Sequence, residues 1–126
     1  MKTILQIEDN HANRLLVERV LEPHNYRLLH AADGETGVAL AIEEKPDLIL
    51  VDMGLPDVDG QTVVTLLKQI PEMEKIPIVA ITAWPVDKAL EMAQQYGCDG
   101  CITKPISVKL FAQQVAAYLA HDNETH

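Results

Sequence analysis

Glu8, Asp9, Asp52, Thr82 and Lys104 are the residues whose types and spacing could do chemistry in this chain. Each follows a short apolar run. Residues 3 to 7 (TILQI) lead to Glu8 and Asp9, residues 48 to 51 (LILV) to Asp52, residues 77 to 81 (PIVAI) to Thr82, and residues 100 to 103 to Lys104. Runs this short, such as the one between Pro46 and the Leu-Pro turn at 55 and 56, read as buried parallel strands. Ligands bind at the carboxyl ends of such strands in open α/β sheets. If the first and third strands are neighbours, Glu8, Asp9 and Asp52 converge. Two carboxylates about 4 Å apart repel by roughly 4 kcal/mol at an effective dielectric near 20, so a cation or a proton must join them. An all-oxygen set without thiolate or imidazole favours a hard ion, and magnesium suits a site that keeps waters for an incoming phosphoryl group. Lys104 adds positive charge and Thr82 a hydroxyl. Cation, ammonium and hydroxyl around one carboxylate form an oxyanion clamp for phosphoryl transfer.

The elements that must position these groups alternate along the chain. Asn10 is placed to cap a helix with Ala12, Leu15, Leu16 and Val20 at helical spacing. Residues 27 to 31 (RLLHA) form a second strand, and a helix carrying Val38, Ala41 and Ile42 ends near Lys45-Pro46. Beyond Gly60 come a third helix (Val63, Leu66, Leu67, Ile70) and a fourth (Ala89, Met92, Ala93, Tyr96), which Gly97 stops. Ser107 caps a fifth, with Val108, Phe111, Ala112, Val115 and Leu119 on its inner face. Five strands alternating with five helices predict a single doubly wound α/β domain, a parallel sheet covered on both faces. It is expected over residues 1–121, with 122–126 a polar tail.

The sequence has 126 residues and a formal net charge of -9. That charge repels phosphate backbones, so no direct nucleic-acid binding is expected. No apolar run reaches membrane-spanning length and the N-terminus turns acidic too early for a signal peptide, so a cytoplasmic protein without a membrane partner is expected. Cys98 and Cys101 form a C-x-x-C leading into a strand, not opening a helix as a redox pair requires, and a structural zinc would need two more ligands. They read as small core residues. Gln6, inside an apolar strand, reads as a buried hydrogen-bonded amide. The five histidines show no metal spacing and read as surface residues.

The motifs ILQIEDN at 4 to 10, LILVDMGLPDVDG at 48 to 60, ITA at 81 to 83 and TKPIS at 103 to 107 resemble the receiver domains of two-component response regulators. The resemblance spans essentially the whole chain and is similar to the chemotaxis receivers, with the KPISV segment most like stand-alone regulators of the DivK type. It implies a flavodoxin-like (βα)5 fold with strand order 2-1-3-4-5. It also implies that Asp52 takes a phosphoryl group from a sensor histidine kinase or histidine phosphotransferase. Asp9, Asp52 and the backbone carbonyl of Gly54 would bind Mg2+, with Glu8 holding it through water. Lys104 would contact the phosphoryl oxygens ahead of a cis bond to Pro105, and Thr82, followed by Ala83, would carry the signal.

One departure stands out. Cys101 occupies the position three before the lysine where receivers usually place an aromatic residue, so Trp84, two residues after Thr82, is the candidate for the switching role. With no output domain in the sequence, action in trans is expected, through a face formed by the fourth helix, fifth strand and fifth helix, by a monomer or weak dimer. Participation in its own phosphotransfer and autodephosphorylation is expected, not conventional enzyme turnover. Three other readings compete. A receiver that is never phosphorylated would keep only a protein-binding role. A haloacid-dehalogenase-like phosphatase would need an acid where Gly54 stands. A flavodoxin-like cofactor binder would need a glycine-rich phosphate loop where Glu8 and Asp9 stand.

Overall fold

The structure, a computed structural model, describes residues 1–53 and 60–124, with side chains described as far as residue 120. Five strands, β1 (Thr3–Ile7), β2 (Arg27–Ala31), β3 (Leu48–Asp52), β4 (Ile78–Thr82) and β5 (Gly100–Thr103), alternate with five helices. These are α1 (His11–Leu21), α2 (Gly34–Glu44), α3 (Gly60–Lys68), α4 (Val86–Tyr96) and α5 (Phe111–Glu124). All strand pairs are parallel and the order is β2-β1-β3-β4-β5. The doubly wound fold and strand order expected above are therefore present. The central strand β3 is buried at all five residues, which is why it carries no polar residue before Asp52.

Alternation of side chains along the strands divides the core into two layers. Leu5, Ile7, Ile49, Val51 and Ile78 pack with Ala41 of α2 and Val63, Val64 and Leu67 of α3. On the other face Ile4, Leu48, Leu50, Val79, Ile81 and Ile102 meet Val17 and Leu21 of α1 and Phe111, Val115 and Leu119 of α5. Burying each Leu, Ile or Phe stabilises by about 1.5–3 kcal/mol relative to exposure. The helix starts follow the capping chemistry: Asn10 accepts from the Asn13 N–H at 3.0 Å and Asp33 from the Thr36 N–H at 2.7 Å. At the opposite end of the sheet, Asn25, Lys45 and Gly97 take left-handed backbone angles where the first, second and fourth helical segments turn back toward strands.

Three expectations need correction. The helical stripes extend too far outward: Leu15, Ile42, Leu66 and Val108 are 36%, 45%, 45% and 65% exposed, because α1 rotates Val17 and Leu21 inward and α5 begins only at Phe111. Ser107 still accepts from the Leu110 N–H at 3.2 Å. Gln6 is buried, yet neither polar atom of its amide finds a hydrogen-bond partner among the described residues. His30 is half-buried on β2 opposite Gln6, not a surface residue. Of the tail expected over residues 122–126, residues 122–124 continue α5 to Glu124, while residues 125–126 and residues 54–59 lie outside the described residues.

Candidate functional site

The parallel register brings the polar strand ends to one edge. Glu8 follows β1, while Asp52 and Thr82 are the last residues of β3 and β4. Lys104 follows β5, its N–H donating to the Thr82 carbonyl at 2.7 Å, and the Lys104–Pro105 bond is cis. Gly60 opens α3 directly against Asp52: a Cβ there would stand 2.6 Å from the Asp52 carbonyl oxygen and 2.7 Å from Met53 Cα. Only glycine lets the helix start so close to the strand end.

A cleft of about 350 Å³ opens over this edge, lined by Glu8, Asp9, Asp52, Thr82, Ala83, Trp84 and Lys104 together with Asn10, Asn13 and Met53. One carboxylate oxygen from each of Glu8, Asp9 and Asp52 lies within 4.8 Å of the others. Glu8 and Asp52 are buried, whereas Asp9 is exposed. Lys104 Nζ donates to Asp52 Oδ1 at 3.0 Å and stands 3.8 Å from Glu8 Oε1. One ammonium thus serves two buried acids. Burial, the hydrogen bond with Asp52 and repulsion from its charge push Glu8 up to about 7, against the pull of the Asn10 N–H and Lys104. Such a pair is short of positive charge, and its donors are all hard oxygens. The site therefore fits magnesium, which one or two carboxylates and several waters suffice to hold. Thr82 is 2% exposed, and its Oγ1 accepts from the Trp84 backbone N–H at 3.1 Å.

Most residues singled out in the sequence therefore meet in one cleft. Cys101 and Pro105 are not among its lining residues. Cys101 on β5 pairs with Ala80 on β4, and Gly54 falls outside the described residues. Both cysteines are free and half-buried, with Cys98 packed against the α2–α3 core layer and pushed up to about 11 by burial, the behaviour of a core thiol and not of a reactive one. Sequence reasoning missed Asn13 and Met53 in the cleft wall. Asn13 carried a signal: it stands three residues after a capping Asn10, which sets it on the first turn, facing the strand ends.

Comparison with known proteins agrees with the fold. Residues 4–116 match the family model of the response regulator receiver domain. The chain is 37% identical over 118 residues to the polar-differentiation response regulator DivK of Brucella anthropi, covering 94% of this chain and 96% of that protein. Among solved structures, it is similar to the receiver domain of a sensor histidine kinase from Pseudomonas aeruginosa PAO1, solved with a magnesium ion coordinated in its active-site cleft. That match has 28% identity and a TM-score of 0.85, covering 94% of this chain and 98% of the other. The chemotaxis response regulator CheY4 of Vibrio cholerae shares the fold at 22% identity, with a TM-score of 0.88 over 94% of this chain and 98% of that one. The family match over residues 4–116 and the 37% identity to DivK over 94% of the chain show that the chain belongs to the response regulator receiver domains of two-component systems.

Proposed function

We propose that Asp52 is the phosphoryl acceptor of this receiver and that the donor is a phosphohistidine of a sensor kinase or phosphotransferase. The observation that carries this reading is the Asp52 carboxylate, 6% exposed at the floor of an open cleft, with Lys104 Nζ at 3.0 Å and Thr82 on the same edge. An Asp52 oxygen attacks phosphorus in line, forming an O–P bond as the P–N bond to the donor imidazole breaks and the imidazole nitrogen keeps the electron pair and takes up a proton. Lys104, already beside Asp52, shares the charge of the phosphoryl oxygens, and the Thr82 hydroxyl donates to one of them. When bound, magnesium supplies further positive charge at these oxygens. Asp9, Asp52 and the Gly54 carbonyl would hold it directly, with Glu8 acting through water.

Output is proposed to be a changed protein-binding surface acting in trans. Val86, Leu90, Val108 and Leu110, on α4 and the turn into α5, are 59%, 56%, 65% and 53% exposed. Four large apolar side chains left in water on α4 and the turn into α5 support a docking role for the α4–β5–α5 face. Among the described residues no helix is long and apolar enough to cross a membrane.

Intact mass after exposure to acetyl phosphate or phosphoramidate with magnesium tests the acceptor. The wild-type chain is expected to gain one phosphoryl group and Asp52→Asn none, with the circular dichroism of the two unchanged. Uptake of the same group by Asp52→Asn would overturn the assignment.

A further inference from the structure

The turn from β1 into α1 gives one residue two tasks. Asn10 is the N-cap of α1, with an extended backbone at φ -84° and ψ 118°, and its side-chain oxygen accepts from the Asn13 N–H at 3.0 Å. Its carbonyl accepts from the Arg14 N–H at 3.1 Å, the first bond of the helix. Its own N–H serves β1 instead, donating to Glu8 Oε2 at 3.2 Å. Glu8 is 1% exposed, and its other oxygen, Oε1, stands 3.8 Å from Lys104 Nζ. Both oxygens of this buried acid thus have a fixed neighbour.

The cap aims the bond to Glu8. With the side chain and the carbonyl of Asn10 both anchored on α1, its φ angle alone sets where its N–H points, and the planar peptide that carries this N–H also holds the Asp9 carbonyl. The start of α1 therefore orients the whole acidic step from Glu8 to Asn10. Asp33 caps α2 by the same device, accepting from the Thr36 N–H at 2.7 Å, but the residue two before it is Ala31, so that cap has no carboxylate behind it. The residue type at position 10 fits the second task. Asp caps as well as Asn, yet Asn10 lines the cleft, where one oxygen from each of Glu8, Asp9 and Asp52 already lies within 4.8 Å of the others. A fourth carboxylate would add to their repulsion. A neutral cap holds the acids without doing so.

We propose that Asn10 is a positioning residue for the cation site: by capping α1 it aims the N–H that holds Glu8 and fixes the backbone of Asp9, so that the acids stand arranged before the ion arrives. The inference rests on the reading of the cleft as a magnesium site. It makes ion affinity depend on a helix cap that touches the acids only through its backbone.

The test separates ion affinity from helix stability. Manganese suits the same hard oxygen ligands, and its paramagnetic signal in solution falls as it binds, so EPR titration of the full chain gives its affinity and competition gives that of magnesium. Glycine at an N-cap costs a helix little stability but has no side chain to accept from the Asn13 N–H. Asn10→Gly is therefore expected to keep the circular dichroism and melting temperature close to those of the wild-type chain. Its affinity for both ions is expected to fall about 10-fold, the lower end of what losing an outer-shell partner costs. Asn10→Ser, whose hydroxyl restores the cap, should bind both ions as the wild-type chain does. Asp33→Gly, which loses the corresponding cap on α2, should do the same. Wild-type affinity in Asn10→Gly overturns the role of Asn10 alone, as does Asn10→Ser binding no better than Asn10→Gly. A fall in Asp33→Gly equal to that in Asn10→Gly also overturns it. No manganese bound by the wild-type chain overturns the reading of the cleft as a magnesium site and this proposal with it.

Discussion

Two parts of the molecule bury polar side chains, and they do so on different terms. At the cleft, Glu8, Asp52 and Thr82 are each at most 6% exposed, and each has a partner: Asn10 N–H for Glu8, Lys104 for Asp52 and Trp84 N–H for Thr82. Beneath α1, Gln6 is just as buried, but both its amide atoms, Arg14 Nε and His30 Nδ1 have no partner among the described residues. Gln6 and His30 are cross-strand neighbours on β1 and β2. Burial alone therefore does not mark a site. What distinguishes the cleft is charge gathered on strand ends of one edge and held in mutual contact, whereas the polar patch under α1 leaves buried polar atoms without partners.

The sharpest way to break the comparison is to remove the cation that holds the cleft together. Lys104→Met leaves Asp52 and Glu8 without their nearby ammonium, and phosphorylation by a small-molecule donor is expected to slow by ~10²-fold, the scale of losing one preorganised charge-stabilising group. Stopped-flow quenching of Trp84 or quantitative intact mass would measure it. An unchanged rate would mean that Lys104 only neutralises a resting pair.

Acid and base should act on the two regions with opposite signs. Glu8 is raised from 4.5 to about 7, so in the metal-free protein the folded state holds a proton that the unfolded chain has released. Its contribution is complete below pH 4.5 and is lost as the pH rises to about 7. His30 is lowered, first by burial and then by Arg14, against the attraction of Glu18. Its contribution is complete above its ordinary value of 6.5 and is lost as the pH falls below that. Thermal melts in EDTA should therefore show Glu8→Gln flattening the loss between pH 4.5 and 7, and His30→Gln reducing the loss on acidification. If neither substitution alters the profile, the two regions do not differ in the way their partners imply.

The smallest effect is expected at Gln6. Exchanging an unpartnered buried amide for an apolar side chain of similar length removes a desolvation cost of about 1–3 kcal/mol while giving up no protein hydrogen bond. Gln6→Met should thus be neutral or stabilising in urea unfolding. A loss of more than about 1 kcal/mol would show that the amide is satisfied after all and that the two polar regions are alike.

The strands and the cleft were legible in the sequence because strand periodicity is local. An apolar run that ends in Asp52 or Thr82 states both its burial and its exit, and the parallel order then places all exits on one edge. Helix faces were less legible. Leu15, Ile42 and Leu66 fit an apolar spacing as well as Val17, Ala41 and Val64 do, but which stripe turns inward depends on the sheet it meets. Gly37 shows the same dependence: a Cβ there would lie 2.5 Å from Ile7 Cδ1, so α2 sits on β1 at a distance that no reading of α2 alone supplies. Gln6 and His30 were misread for a related reason. Their environment is set by each other and by Arg14, residues separated in sequence and joined only by the strand register.

The three left-handed residues offer a practical consequence. Asn25, Lys45 and Gly97 are exposed, and all lie at the end of the sheet away from Asp52. A surface tether attached through the Lys45 amine would therefore orient immobilised molecules with the acidic cleft facing solution and open to an injected kinase.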